Sequence, residues 1–271
     1  MKHLLLAALL TCSINASAFS LFESSEITDY GKLNQPDSAV TVDHSAWNSL
    51  LANKIEDVEG LNYFDYASFS AKERMQLLEY IESLESVVAS SLAPSEQFAY
   101  WVNLYNAVTV NLILEHYPVE SITDISFSLL QWGPWDEPLV VVEGRELTLN
   151  DIEHRILRPV FEDPRIHYVV NCASIGCPNL QRQALVPESL EQSLEDAARQ
   201  FINHPRGVSV EEDELVLSKI FDWYADDFGD NETQLLAHLA RYADADLKAK
   251  LESGIEVGDY RYDWSLNEIA Q

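Results

Sequence analysis

Cys172 and Cys177, in the stretch HYVVNCASIGCPNL (167–180), are the residues whose type and spacing most invite chemistry in this chain. Three chemistries suit them. A free Cys172 at the exit of a buried strand, followed by small residues and a Gly-Cys-Pro turn, is placed like a nucleophile, with the Ala173 and Ser174 backbone N–H groups as oxyanion donors. A neighbouring imidazole would supply its thiolate. Bridged to each other, the two cysteines would close a short loop, the expected state in an oxidising compartment. Together with His154 and His167 they would offer zinc a mixed nitrogen and sulfur set, but the H-x12-H-x4-C-x4-C spacing matches no recognised structural zinc module. No metal or other cofactor is expected.

Which histidine could activate Cys172 depends on local geometry. If RIHYVV (165–170) is a strand, side chains alternate, so His167 and Asn171 share one face while Cys172 lies on the other. His167 then points away from the sulfur unless the chain turns at Asn171. His154, in the first turns of a separate helix, is freer to approach. Asn103 and Asn106 are three apart on one face of an apolar helix; buried amides either bond a neighbouring loop or orient a histidine. Glu153 is either the third residue of a capping box with Asn150 or an acid–base or binding group. Asn171 and Ser174 flank the cysteine and are candidate binding residues. Trp101, Tyr105, Trp223 and Tyr224 are either core or the walls of an aromatic cleft. Asp227 and Asp263 read as hydrogen-bonded anchors at element ends.

These groups have to be held by a helix-rich frame. The spacing of Trp47, Leu50, Leu51 and Ile55 predicts a helix from about Asp43, after a loose lead-in over 19–42. NYFDY (62–66) reads as extended. Ser70 and Glu73 form a capping box for a helix carrying Leu77, Leu78, Ile81 and Leu84. Residues 95–117 are apolar nearly all round and predict a buried central helix that Pro118 stops. A Trp-rich loop (LLQWGPWDEP) leads to a hairpin around EGR, and NDIEHRIL restarts a helix that Pro159 ends. Residues 187–203 are amphipathic, EEDE turns a second hairpin, and helices near 220–228 and 232–251 precede the closing YRYDWSLN. The expected class is α+β: one helix-rich domain with a small sheet built from hairpins and a central strand. A signal segment over 1–18, an N-terminal helical part over 19–90 and a core over 91–271 divide the chain.

Composition narrows the partners. The 271 residues carry 45 acidic against 17 basic side chains, a net charge of −28 that disfavours nucleic acid and anionic membrane surfaces. The start, MKHLLLAALLTCSINASAFS, has a basic end, a short apolar run and Ala16-Ser17-Ala18, which predict a cleaved export signal and a mature chain beginning at Phe19. Cys12 would leave with it. The apolar run is too short to span a bilayer, and no later segment approaches that length. The expected protein is periplasmic or secreted, uninserted in membrane, with a small molecule or peptide as partner.

YWVNLYNA (100–107), LNDIEHRILR (149–158), DPRIHYVVNCASIGCPNL (163–180), LSKIFDWYADDF (217–228) and YDWSLN (262–267), in that order, resemble the bacterial branch of the domain of unknown function 547 family. The resemblance implies a shared fold and brings no established reaction or ligand, so function has to be argued from the site. Two readings stand. One is a thiol-dependent hydrolase or acyl transferase acting on an amide or ester, with Cys172 as nucleophile, His154 or His167 as base, and Asn103 or Asn106 as orienter. The other is a non-catalytic binding or scaffold protein in which Cys172 and Cys177 are a disulfide staple.

Overall fold

The computed structural model describes residues 25–128 and 132–269. The predicted signal segment, with Cys12, and the start of the Trp-rich loop lie outside the described residues. Residues 25–31 are helical and bury Ile27 and Tyr30, so the lead-in is less loose than expected. Helix α1 (Ser45–Lys54) buries Trp47, Leu50 and Leu51. Ile55 leaves it to begin β1 (Ile55–Val58), which pairs antiparallel with β2 (Leu61–Phe64) in the register Ile55↔Phe64. Helix α2 (Ala71–Glu85) opens on the predicted capping box: the Ser70 side chain accepts from the Glu73 N–H, and the Glu73 carboxylate accepts from the Ser70 N–H.

Helix α3 (Pro94–His116) is the axis of the molecule. Its apolar residues run all round, and neighbouring elements cover it from Glu96 to Leu114 except at Asn111. Pro94 starts it, where no intrahelical N–H is needed, and Pro118 lies just beyond its end. Hairpin β3 (Val140–Val142) and β4 (Arg145–Leu147) turns at Glu143-Gly144, both at positive φ; Arg145, expected in the turn, pairs with Val142.

The segment 151–170 departs most from expectation. Asp151–Leu157 is a π-helix, its wider turn marked by the Arg158 N–H bonding back to Glu153 O. Pro159 does not end the helical run, because it falls in the first turn of α4 (Arg158–Phe161). Residues Pro164–Tyr168 are a 3-10 helix where a central strand was expected. Asp163 caps it by accepting from the Arg165 N–H at 2.9 Å, and Pro164 sits at its first position. That local chemistry outweighs the β-branched composition of RIHYVV.

Helix α5 (Leu190–Ile202) buries Leu190, Leu194, Ala197 and Phe201, as its pattern predicts. Hairpin β5 (Val208–Glu211) and β6 (Glu214–Ser218) follows. Short helices α6 (Ile220–Trp223) and α7 (Ala225–Phe228), then α8 (Glu232–Tyr242) and α9 (Ala245–Leu251), lead to β7 (Val257–Arg261). This last strand adds to β6 in parallel, so the sheet is more than a hairpin. Helices and three small sheets make an α+β fold, and one hydrophobic cluster runs from Ile27 to Leu266. Among the described residues no helix is long and apolar enough to cross a membrane.

Candidate functional site

A cleft of about 450 Å³ opens beside the cysteine loop. The π-helix supplies Glu153 and His154, the 3-10 helix supplies His167, and the loop after it supplies Cys172 and Cys177. Because 165–170 is not a strand, the alternation that would turn His167 away from Cys172 does not hold: both line the same cleft.

His167 is the best-anchored polar group here. Its Nε2 lies 2.6 Å from Asp227 Oδ2, and its ring stacks on Tyr224 with centroids 4.1 Å apart. Arg158 forks onto the same carboxylate, Nε to Oδ2 at 2.6 Å and Nη2 to Oδ1 at 3.0 Å. Burial pushes the Asp227 carboxyl upward, but the hydrogen bonds and charges of His167 and Arg158 outweigh it and hold the group well below the usual carboxylate range. An ionised carboxylate only accepts, so His167 Nε2 carries a proton. Its Nδ1 faces Glu153 Oε1 at 3.8 Å. Asp227, read from sequence as an element-end anchor, is the centre of this network.

Glu153 is buried and does not cap a helix. The Asn150 side chain makes no cap; it donates to Asp136 Oδ1 instead. The capping pair is two residues earlier, with Thr148 Oγ1 accepting from the Asp151 N–H and Asp151 Oδ2 accepting from the Thr148 N–H. This frees Glu153 to meet the Tyr105 and Tyr224 hydroxyls, both of whose phenol pKa values are pushed up, by burial first and by the Glu153 charge second. His154 accepts at Nδ1 from Arg158 Nη1 at 3.3 Å.

The aromatic wall is the other half of the cleft. Trp264 is its hub, with ring centroids 4.5 Å from Tyr262, 5.1 Å from Trp132, 5.6 Å from Trp223 and 5.7 Å from Trp135. Gly133 sits at φ +73, and a Cβ there would fall 1.9 Å from the Trp135 ring, so only glycine lets Trp135 take this position.

The Cys172 and Cys177 sulfurs lie at disulfide distance, 2.20 Å, with Cα atoms 6.2 Å apart. The loop they close is held from three sides. Asn171 accepts from the Ala173 N–H and donates to Pro178 O. Arg206 donates to Ile175 O at 3.2 Å. The C-terminal segment bonds it through Ile175 N–H to Ser265 O, Gly176 N–H to Asp263 O and Asn267 N–H to Ala173 O. Ser174 is buried, its hydroxyl 3.8 Å from Cys172 Sγ.

The remaining predicted residues serve structure. Asn106 clasps the loop backbone, donating to Val169 O and accepting from the Asn171 N–H; Asn103 does the same to Leu185 O and N–H. Neither bonds a histidine. The Ala173 N–H is committed to Asn171 and is not free to serve an oxyanion. Trp101 is fully buried against Tyr30 and Tyr100, whereas Tyr105 reaches the cleft. Asp263 caps its own turn by accepting from the Ser265 N–H, as an anchor should.

No curated protein and no solved structure is similar enough to this chain to match it. Residues 89–202, which carry α3, the π-helix and the cysteine loop, match a family model, while Trp223, Tyr224, Asp227, Tyr262 and Trp264 lie beyond the matched span. Over those residues the chain is similar to the family described as "Protein of unknown function, DUF547".

Proposed function

We propose that this chain is an exported protein, periplasmic or secreted, that binds a small organic molecule in the cleft, with Cys172–Cys177 as a disulfide in the resting state. One observation carries the reading. An opening of about 450 Å³, the size range of small-molecule sites, joins an aromatic wall to a few converging polar groups. Trp264 and its neighbours offer flat apolar surface for a ring or hydrocarbon face. Glu153 and His154, which line the same opening, offer polar positions that fix its orientation. The sulfurs at bonding distance and the signal-like start agree with an oxidising destination.

A fragment library screened by thermal shift tests this, because a molecule that binds only the native state raises the melting temperature. Hits should lose their shift in Val170→Phe, which fills the cleft, and in Trp264→Ala. Hits that raise the melting temperature of both variants as much as the wild type would move the ligand elsewhere. Export is checked separately by N-terminal sequencing of the secreted chain, which should begin at Phe19.

A thiol-dependent hydrolase or acyl transferase is favoured by one fact, that Cys172 shares the cleft with His154 and His167. It requires the reduced protein. Native protein without reductant should be two hydrogens lighter than the dithiol and refuse iodoacetamide; rapid alkylation of Cys172 under those conditions would favour the nucleophile instead.

A further inference from the structure

A disulfide that only stapled a loop would gain from burial of both sulfurs. This one is on the cleft wall, and its two sulfurs are not equivalent. Cys177 is 4% exposed, while Cys172 is partly open to the cleft. The hydrogen-bond donors are also unequal. Cys177 Sγ accepts from the Cys172 backbone N–H at 2.9 Å and from the Tyr262 hydroxyl at 3.1 Å. Cys172 Sγ has the same hydroxyl at 2.9 Å and the Ser174 hydroxyl at 3.8 Å, but no backbone donor among the described contacts, so the fixed backbone N–H is what distinguishes Cys177.

Thiol–disulfide exchange depends on that asymmetry. The sulfur that departs must carry a negative charge, and a leaving thiol of lower pKa departs faster. Donors aimed at a sulfur favour its thiolate over its thiol. The backbone N–H of Cys172 is fixed by the loop, and the loop is fixed by Asn171 and Arg206. Burial pushes the Tyr262 phenol upward, outweighing the Ser174 hydrogen bond that lowers it, so it keeps its proton and remains a donor.

We propose that the Cys172–Cys177 disulfide is a centre for exchange with thiol compounds that enter the cleft, Cys172 being the sulfur attacked and Cys177 the leaving thiolate. The inference rests on the disulfide reading of the resting state but not on the identity of any other ligand. A substrate thiolate forms a bond to Cys172 Sγ as the Cys172–Cys177 bond breaks. The electron pair goes to Cys177, which departs as a thiolate held by the Cys172 N–H and the Tyr262 O–H. A dithiol substrate completes the reaction when its second thiolate attacks its own sulfur in the mixed disulfide and releases Cys172. The substrate loses two electrons, the protein gains two, and the two thiol protons pass to the cysteines. Trp223 and Trp264, packed at 4.8 Å and 4.5 Å from the Tyr262 ring, form the wall along which the substrate approaches.

Intact mass of the purified, unreduced protein comes first: a mass equal to the dithiol removes the premise, whatever the direction of attack. The native disulfide form is then exposed to 2-mercaptoethanol, quenched with N-ethylmaleimide and mapped by peptide mass spectrometry. The singly modified intermediate should carry mercaptoethanol on Cys172 and maleimide on Cys177. The opposite assignment, an even split, or no reaction until the protein is denatured would overturn the proposal. Reduction by dithiothreitol should slow about fivefold in Tyr262→Phe, the loss of one hydrogen bond to a developing charge. An unchanged rate in a folded variant would remove Tyr262 from the mechanism and overturn its assignment. The mapping uses wild-type protein, so the direction of attack is decided even if that variant does not fold.

Discussion

The central helix α3 and the π-helix at 151–157 both carry polar side chains in a buried setting, and they use them in opposite ways. On α3 the regular backbone satisfies itself, and Asn103 and Asn106 reach out as bidentate clamps on neighbouring main chain. Their capacity is filled by the fold. On the π-helix the wider turn brings two consecutive polar residues, Glu153 and His154, to the cleft. The difference teaches that a buried polar residue signals function only when the surrounding backbone leaves it unclaimed. Irregular helical geometry, often found at functional sites, is what leaves it so.

Substitutions should separate the two regions sharply. Trp101→Ala, beside the asparagine clamps of α3, should destabilise by about 3–5 kcal/mol in a urea titration, the range for removing a large core aromatic. A loss under about 1 kcal/mol would mean that the axis of the fold is not where the packing puts it. Asn106→Ala leaves the Val169 carbonyl and the Asn171 N–H without their partner, and should cost about 2–4 kcal/mol. If it were nearly neutral, the clamp would be ornamental and Asn106 would return as a candidate for chemistry.

Acid should weaken the fold in two steps, at different pH. His44 and His238 are held at about 4, burial being the main cause, so they stay neutral in the fold while their unfolded forms protonate near 6.5. The unfolded state therefore takes up protons first. Stability is complete above about pH 6.5 and falls as the pH drops towards 4. Asp227 behaves differently: its depressed carboxyl supports the fold above its unfolded value of about 4, and that support is lost only below it. Equilibrium urea midpoints across pH 3–7 should show two limbs, with His44→Gln shallowing the upper and Asp227→Asn the lower. A single limb unaffected by either variant would contradict both assignments. The smallest effect belongs to the rim: Trp223, 42% exposed, should tolerate alanine within about 1 kcal/mol while still altering what the cleft binds.

Periodicity and capping make most of the frame legible. The all-apolar run of α3, the Ser70 capping box and the amphipathic α5 are local patterns, and each element is where its pattern puts it. The site is less legible, because it depends on backbone irregularity and long-range pairing. Tyr168, Val169 and Val170 favour a strand, but Asp163-Pro164, as cap and first helical position, is the stronger signal. With a strand there, His167 looks misdirected. Asp227 cannot be linked to His167 from sequence, since 60 positions separate them. The parallel strand β7 is hidden for the same reason: its partner β6 is far back in the chain. Trp132, Trp135 and Trp264 are visible only as an aromatic-rich composition.

The order of the chain also imposes an order in time. Tyr262, whose hydroxyl lies within hydrogen-bond reach of both sulfurs, lies 90 positions after Cys172. The backbone bonds that sew down the cysteine loop come from Asp263, Ser265 and Asn267. During synthesis both thiols therefore emerge long before the segment that sews their loop down. Until the final segment docks, the tryptophan wall lacks its hub, Trp264, the loop has no seam on that side, and either sulfur is open to an unintended partner. A nascent chain stalled anywhere before residue 262 would present the cysteines without Tyr262 and without that seam. The vulnerable interval in this protein's life is therefore set by how quickly the strand and segment that follow residue 256 arrive.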